Sequence, residues 1–433
     1  MKPNQETAEG EPAITGDVIG DTAYSERFVL KILLKLANLD TLKDEIQEKS
    51  FEDDLCTLWD MTAERDVVMF LQKHKMLNLL NFALPIIESP RIIEIFIGIT
   101  GNMCCQKEVV SALLKMDSKK RRYKLILLNL LLENIKTDDS LVLIQLLRLI
   151  NSSLFLIDHE AVCIWMGLFK KIEYSSALYF ILKNSSNKDL LVTALENINT
   201  ICSYCNTEKC RAEFFTHFVT VDALESLTTA FTEITVNQKD KCERDELERV
   251  LVISLQTILN LVGFDKSSGV FKDSRENVSN MIGIVLKYYE TKFVEQKEVD
   301  SDLIDVIDST GTILNIMHLS ELSDCEIYFQ PSYRIWKALK LLLQKDKNGD
   351  DVEEDDKEEL REFCKQLKSP LSTFICVYLA KCSESNLLKA LDEIGADYDE
   401  LLKMVKNKDK EIKDLVSKRA INYRTRLKEN ADS

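Results

Sequence analysis

NKDLLVTALENINTICSYCNTEKCRAEFFTHFVTVDALESLTTAFTEIT, residues Asn187–Thr235, carries the pattern that decides the fold. Leu191, Ala194, Leu195, Ile198, Ile201 and Cys202 recur at intervals of three and four, which lays one apolar stripe along a helix. Asn187 stands just ahead of it, a residue type suited to accepting a bond from the first free amides of a helix. Phe214–Phe218 and Val221–Phe231 follow as two shorter apolar segments. The stretch therefore predicts one long helix and two shorter ones, the content of an armadillo-like unit, although HEAT-type helix pairs suit the uneven spacing almost as well.

Outward from this unit the same kind of helix returns. IFIGITGN at Ile95–Asn102, IQLLRLIN at Ile144–Asn151, VTALENIN at Val192–Asn199, SLQTILN at Ser254–Asn260 and STGTILN at Ser309–Asn315 each run into an asparagine. Successive asparagines are about fifty to sixty residues apart, room for two or three short helices per repeat. Punctuation agrees: the chain has 12 Gly and 6 Pro, and no proline between Arg91 and Gln330. A sandwich, a barrel or a loop-rich α/β enzyme would need more of both. The fold class expected is all-α, an α-solenoid of the armadillo or HEAT kind over residues 22–400. It is preceded by a disordered tail at 1–21, interrupted by an acidic disordered loop at 346–359, and followed by a basic helix or tail at 401–433.

Composition narrows function by exclusion. Of 433 residues, 45% are apolar and 30% charged, the mixture of a packed globular chain. Against 72 acidic residues stand 56 basic ones, a net charge of −16, so the body should repel phosphate backbones and anionic lipid. General nucleic-acid and membrane binding are disfavoured. Twelve cysteines are scattered through a chain large enough to bury its own core, which points to a reduced compartment. No charged-then-apolar leader opens the sequence, and no apolar run approaches the ~20 residues that span a bilayer.

The N-terminal third then reaches a recognisable set of residues. Gly16–Asp17–Val18–Ile19–Gly20 with Thr22–Ala23–Tyr24–Ser25, Leu55–Cys56–Thr57–Leu58–Trp59–Asp60–Met61, Asp66–Val67, Phe70–Leu71–Gln72, Pro90–Arg91 and Gly98–Ile99–Thr100–Gly101–Asn102–Met103 resemble, in order and spacing, the serum amyloid A-like (Saal) family. The resemblance covers about residues 16–106, and beyond Leu190 only the helix patterning matches. It implies an armadillo-type helical protein, largely nuclear in animals, associated with cell proliferation and without an established catalytic activity. The family has no catalytic or ligand-binding residues to carry over. Trp59, at helical spacing from Leu55, reads as core, with Asp60–Met61–Thr62 ending one helix and capping the next.

Several constellations invite chemistry. Cys202, Cys205, Cys210 and His217 form C-x2-C-x4-C-x6-H, a donor set with which tetrahedral zinc is satisfied. Against it, Cys202 belongs to the apolar stripe, and a lone cysteine commonly acts as a small buried hydrophobe. The expectation is no metal and no cofactor. His74, His159, His217 and His318 lie far apart, without a nucleophile elbow, a phosphate loop or H-E-x-x-H, so the chain is not expected to be an enzyme.

The asparagines carry the sharper hypothesis. Asn102, Asn151, Asn199, Asn260 and Asn315 would line a concave groove and bond the backbone of an extended partner, since each amide offers two donors and a carbonyl. Their other reading is that each ends or caps an inner helix. Importin-like receptors pair such an asparagine with a tryptophan one turn earlier, where this chain has Gly98, Leu147, Leu195, Gln256 and Gly311. Basic peptides of the nuclear-import type are therefore not the expected ligand. Lys119–Arg122, and Lys418–Arg419 with Arg424 and Arg426, are either import signals or solvated charge. The basic C-terminal region could also fold back on Asp346–Glu362. The function expected is a non-enzymatic scaffold that binds a protein or peptide segment, nuclear, with the cytoplasm as the other compartment open to it. A nucleocytoplasmic transport adaptor is the alternative.

Overall fold

The computed structural model describes residues 17–118, 127–156, 159–321, 325–345, 354–405 and 409–431. Within them the chain is all-α, twenty-three helices without a strand, and it divides into two compact units, Met1–Ile172 and Glu173–Ser433.

The first unit contains α1 (Glu26–Ala37), α2 (Leu39–Glu45), α3 (Lys49–Met61), α4 (Arg65–Lys73), α5 (Met76–Ala83), α6 (Pro90–Met103), α7 (Lys107–Ser118), α8 (Leu127–Glu133), α9 (Ser140–Phe155) and α10 (His159–Lys171). Helix α1 starts where Ser25 accepts the Phe28 amide and buries Val29, Ile32, Leu33 and Leu36, a spacing that puts all four on one face. Helix α9 starts where Asp139 accepts the amides of Leu141 and Val142. The helices stack in two rows: α3 on α6 on α9, and α1 on α5 on α8.

The second unit contains α11 (Tyr174–Asn184), α12 (Lys188–Cys205), α13 (Arg211–Phe218), α14 (Val221–Thr232), α15 (Arg244–Val262), α16 (Ser267–Val270), α17 (Arg275–Glu290), α18 (Asp302–Ile316), α19 (Cys325–Lys345), α20 (Glu354–Lys381), α21 (Glu384–Ile394), α22 (Tyr398–Met404) and α23 (Lys410–Ala431). Helices α12, α13 and α14 are the long helix and two shorter ones expected of Asn187–Thr235, and Asn187 caps α12 by accepting the Leu190 amide. Again two rows form. Helices α11, α14, α17, α19 and α21 stack in succession, as do α12, α15, α18, α20 and α23. Each helix leans on its counterpart in the next repeat, so one apolar core runs between the rows, which is the α-solenoid arrangement.

Residues 1–16 of the expected tail, 119–126 with the basic run, and 346–353 of the acidic segment lie outside the described residues. Helix α20 begins at Glu354. Helix α23 packs along α20 near its C-terminal end: the Arg419 guanidinium donates to the carbonyls of Leu379 and Cys382, each at 2.7 Å. Those are carbonyls that a helix end leaves without amide partners. Arg419, read in the sequence as import signal or solvated charge, thus closes the end of a helix.

Candidate functional site

All five predicted asparagines fall on the second-helix rows: Asn102 on α6 and Asn151 on α9 in the first unit, Asn199 on α12, Asn260 on α15 and Asn315 on α18 in the second. The periodicity placed them correctly on equivalent helices. Their partners, however, differ.

Asn102 faces backwards. Its Nδ2 donates to Thr62 Oγ1 at 2.9 Å and reaches the Trp59 carbonyl at 3.5 Å, while Thr62 Oγ1 donates to that carbonyl at 2.5 Å. The side chain closes the C-terminal end of α3, which is the capping role. Trp59 is half-buried rather than core. Its indole lies where a side chain on Gly98 would sit: a Cβ there would come within 2.3 Å of the ring. Gly98 is one of the positions where importin-like receptors carry tryptophan, and here it faces the Trp59 ring of the neighbouring helix. Thr62 ends α3, but the next helix opens after Glu64, without a side-chain cap.

In the second unit Asn199 and Asn315 face forwards. Asn199 Oδ1 accepts from Thr257 Oγ1 at 3.2 Å, and its Nδ2 lies 3.5 Å from Gln256 Oε1, both on α15. Nearby Glu196 pairs with Arg249 at 3.2 Å. Asn260 is half-buried. Asn315 is exposed, and its Oδ1 accepts from Lys381 Nζ of α20 at 2.6 Å. These amides bind helix to helix, and they leave a strip of polar side chains along α12, α15 and α18.

That strip ends at a groove of about 270 Å³ walled by α18, α20 and α23. Gly311 lies in its wall, where a Cβ would rest in ordinary contact, 3.4 Å, with Phe374 of α20. Ile307, Phe374 and Val377 supply apolar surface. Asn315, Asp308, Ser369 and Asp409 supply acceptors, and Thr373 Oγ1 lies 3.4 Å from Asp409 Oδ2. Pro370 interrupts α20 beside it and removes one amide from the helical ladder. Asp308, Ser369 and Asp409 escaped the sequence reading because they come from three helices far apart in the chain. The available signal was a glycine and a proline, each inside a helical apolar pattern.

A larger groove of about 700 Å³ runs along the outer face of α17, between the end of α14 and the start of α19, over Leu247, Leu251, Ile284 and Ile327. Its wall is fixed by charge. Helix α17 ends in a π-turn, Thr291–Glu295, which carries Lys292 inward. Lys292 Nζ meets Glu248 at 2.6 Å and Asp300 at 2.5 Å. Burial opposes the ammonium, but the two carboxylates outweigh it and raise its pKa. Burial likewise opposes charge on Glu248, yet bonds from Lys292, Tyr288 and Arg244 hold its carboxyl below the usual range.

The cysteine pattern resolves differently. Cys202, Cys205 and Cys210 are buried. Burial pushes the Cys202 thiol up, and that of Cys205 to about 12. Among the described residues no three His, Cys, Asp or Glu side chains are grouped to hold a metal ion. Nor is any described helix long and apolar enough to cross a membrane.

No family model matches the chain. Protein saal1 of Danio rerio is 30% identical over 208 residues, 46% of this chain and 42% of that protein. Protein SAAL1 of Homo sapiens is 29% identical over 201 residues, 43% of this chain and 40% of that protein. Among solved structures, that of SYS-1 aligns with a TM-score of 0.49 at 11% identity, covering 90% of this chain and 63% of the other. Over somewhat less than half its length, and less than half of theirs, the chain is therefore similar to proteins named SAAL1.

Proposed function

We propose that this chain is a non-enzymatic protein-interaction scaffold, which binds an extended partner segment along the polar strip of α12, α15 and α18 and the groove at its end. The observation that carries the reading is the strip itself. Stacked repeats spend their apolar faces on one another, and the surface left on the second row is lined with amide, hydroxyl and carboxylate groups suited to a peptide backbone. The nuclear, proliferation-linked role rests on the likeness to the SAAL1 proteins.

The test is co-purification of partners with the full chain, repeated with Asn199→Ala, Gln256→Ala and Asn315→Ala. Partners lost with these variants, at unchanged thermal stability, support the reading. Partners unaffected while stability falls would make the asparagines purely structural. A fluorescently tagged chain found only in the cytoplasm would remove the nuclear part.

A further inference from the structure

We infer that the groove between α18, α20 and α23 receives one cationic side chain of the partner segment, arginine in preference to lysine. The inference rests on the scaffold reading and specifies what the groove recognises.

The argument is an inventory of hydrogen-bonding groups. Asp308 and Asp409 are the charged residues lining the groove, and no described lysine or arginine forms an ion pair with either. Lys381, which stands at one end, is bonded to Asn315. Lys413, one turn beyond Asp409 on α23, lies close enough to act on the Cys376 thiol but pairs with neither carboxylate. Ser369 Oγ is buried and has no hydrogen-bond partner among the described residues, which leaves its lone pairs able to accept. The Thr373 hydroxyl is already turned to Asp409. The groove thus offers two carboxylates and a hydroxyl oxygen, and among the described residues no lysine or arginine is paired with them.

A guanidinium is the complement of such a set. It carries five donors in a planar fork and no acceptor, and it keeps its charge at any physiological pH. An ammonium has the charge, but it is a compact point that meets scattered acceptors less well. The apolar wall of Ile307, Phe374, Val377 and Ile412 suits the methylene stem of the same side chain, which packs while its head stays polar. Size agrees: about 270 Å³ lies just below the roughly 300–1,000 Å³ of small-molecule sites and accommodates one long side chain. The entrance adjoins Asn315, so a peptide lying on the strip would deliver its side chain there.

The experiment selects random short peptides, displayed on phage, against the full-length chain, then measures binding of the enriched sequences by fluorescence anisotropy. Wild type is compared with Asp308→Asn/Asp409→Asn, and with Asp245→Asn, which removes an exposed carboxylate of α15 away from the groove. Asp308 is exposed and Asp409 half-buried, so the double variant retains its fold; Asp308→Asn alone serves should it not. Enriched peptides should share an arginine beside apolar residues. Their affinity should fall about tenfold in the double variant and hold in Asp245→Asn. Replacing that arginine by glutamine should cost as much in wild type and nothing further in the double variant, while lysine should lose less.

Peptides without a cation, or arginine peptides that bind the double variant and Asp245→Asn equally well, would overturn the inference; the second result would mean only attraction to a net charge of −16. Peptides that depend on Asn199 and Gln256 but not on Asp308 and Asp409 would leave the scaffold reading standing and remove this inference alone. No enrichment at all would count against both.

Discussion

The seam between α3, α6 and α9 in the first unit and the seam joining α15 to α17 in the second solve one problem with opposite chemistry. Both hold helices together, the first joining equivalent helices of successive repeats and the second tying a helix of one row to a helix of the other. In the first, the fit is one of shape: Gly98 leaves room for Trp59, Gly101 faces Leu149, and Asn102 closes the end of α3 with neutral hydrogen bonds. In the second, Lys292 draws Glu248 and Asp300 together, and Arg244 ties Glu248 to Glu298. A shape seam breaks when volume is added and is indifferent to pH. A charge seam breaks when one partner is removed, and it weakens with acid.

The largest effect should come from Lys292→Met. Removing one member of a buried ion network leaves the others uncompensated, a loss of about 3–5 kcal/mol. Hydrogen exchange of the full chain, followed by mass spectrometry, should show protection lost in α15 and α17 and kept in α3 and α6. Adding Glu248→Gln and Asp300→Asn should recover part of it, because the stranded charges are then gone. Wild type predicts the same seam's pH response. The Glu248 carboxyl is held below its unfolded value of 4.5, so its contribution is complete above that pH and disappears as pH falls through the folded value. Acid should therefore open α15 and α17 before α3 and α6, and simultaneous opening would erase the distinction.

Gly98→Val should strike the other seam. Its Cβ would fall 2.3 Å from the Trp59 indole, so the ring must leave the surface it covers. Overpacking of this kind costs about 1–3 kcal/mol. Trp59→Ala should remove most of the further penalty, making the two changes less than additive. Exchange in α3 and α6 reports it, and full additivity would mean that the two residues do not meet.

How much of this was legible in sequence follows from the range of each interaction. The helices were, because Leu191, Ala194, Leu195 and Ile198 satisfy a rule that spans only a few residues. So was the recurrence that put Asn102 and Asn199 on matching helices. The partners were not, since Asn102 meets Thr62, forty residues earlier, whereas Asn199 meets Thr257, fifty-eight residues later. Nothing in either helix specifies which neighbour its asparagine addresses. Trp59 was read as core from its spacing to Leu55, but its position depends on a glycine of another helix. The division at Ile172 leaves no mark in composition, and the groove at Asp308 exists only once three helices are assembled.

Alkaline titration gives a smaller effect, confined to the second unit. Tyr179 donates to the Phe218 carbonyl at 2.6 Å and Tyr174 to Asn197 Oδ1 at 2.7 Å. Burial pushes both phenols well above 10.0. A raised folded value means that their contribution is complete below pH 10 and is lost as pH rises beyond it, by up to about 1.4 kcal/mol per pH unit for each tyrosine. Tyr179→Phe should cost about 1 kcal/mol at neutral pH and flatten the alkaline decline in urea midpoints. An unchanged slope would mean that Tyr179 ionises as freely folded as unfolded.

The smallest effect separates the two kinds of asparagine. Asn102→Ala removes a bond of 2.9 Å to a buried threonine that itself closes a helix end, and should cost about 1 kcal/mol. Asn199→Ala removes longer contacts, 3.2 and 3.5 Å, with Gln256 open to solvent. Water replaces these readily, so its stability change should be within about 0.5 kcal/mol. A residue that contributes so little to folding yet occupies the same place in its repeat as a structural one is available for recognition. Equal costs for the two substitutions would return Asn199 to a structural role and move any binding along α12 to its neighbours. Unequal costs with unchanged peptide affinity would leave the groove at Asp308 to act without the strip that leads to it.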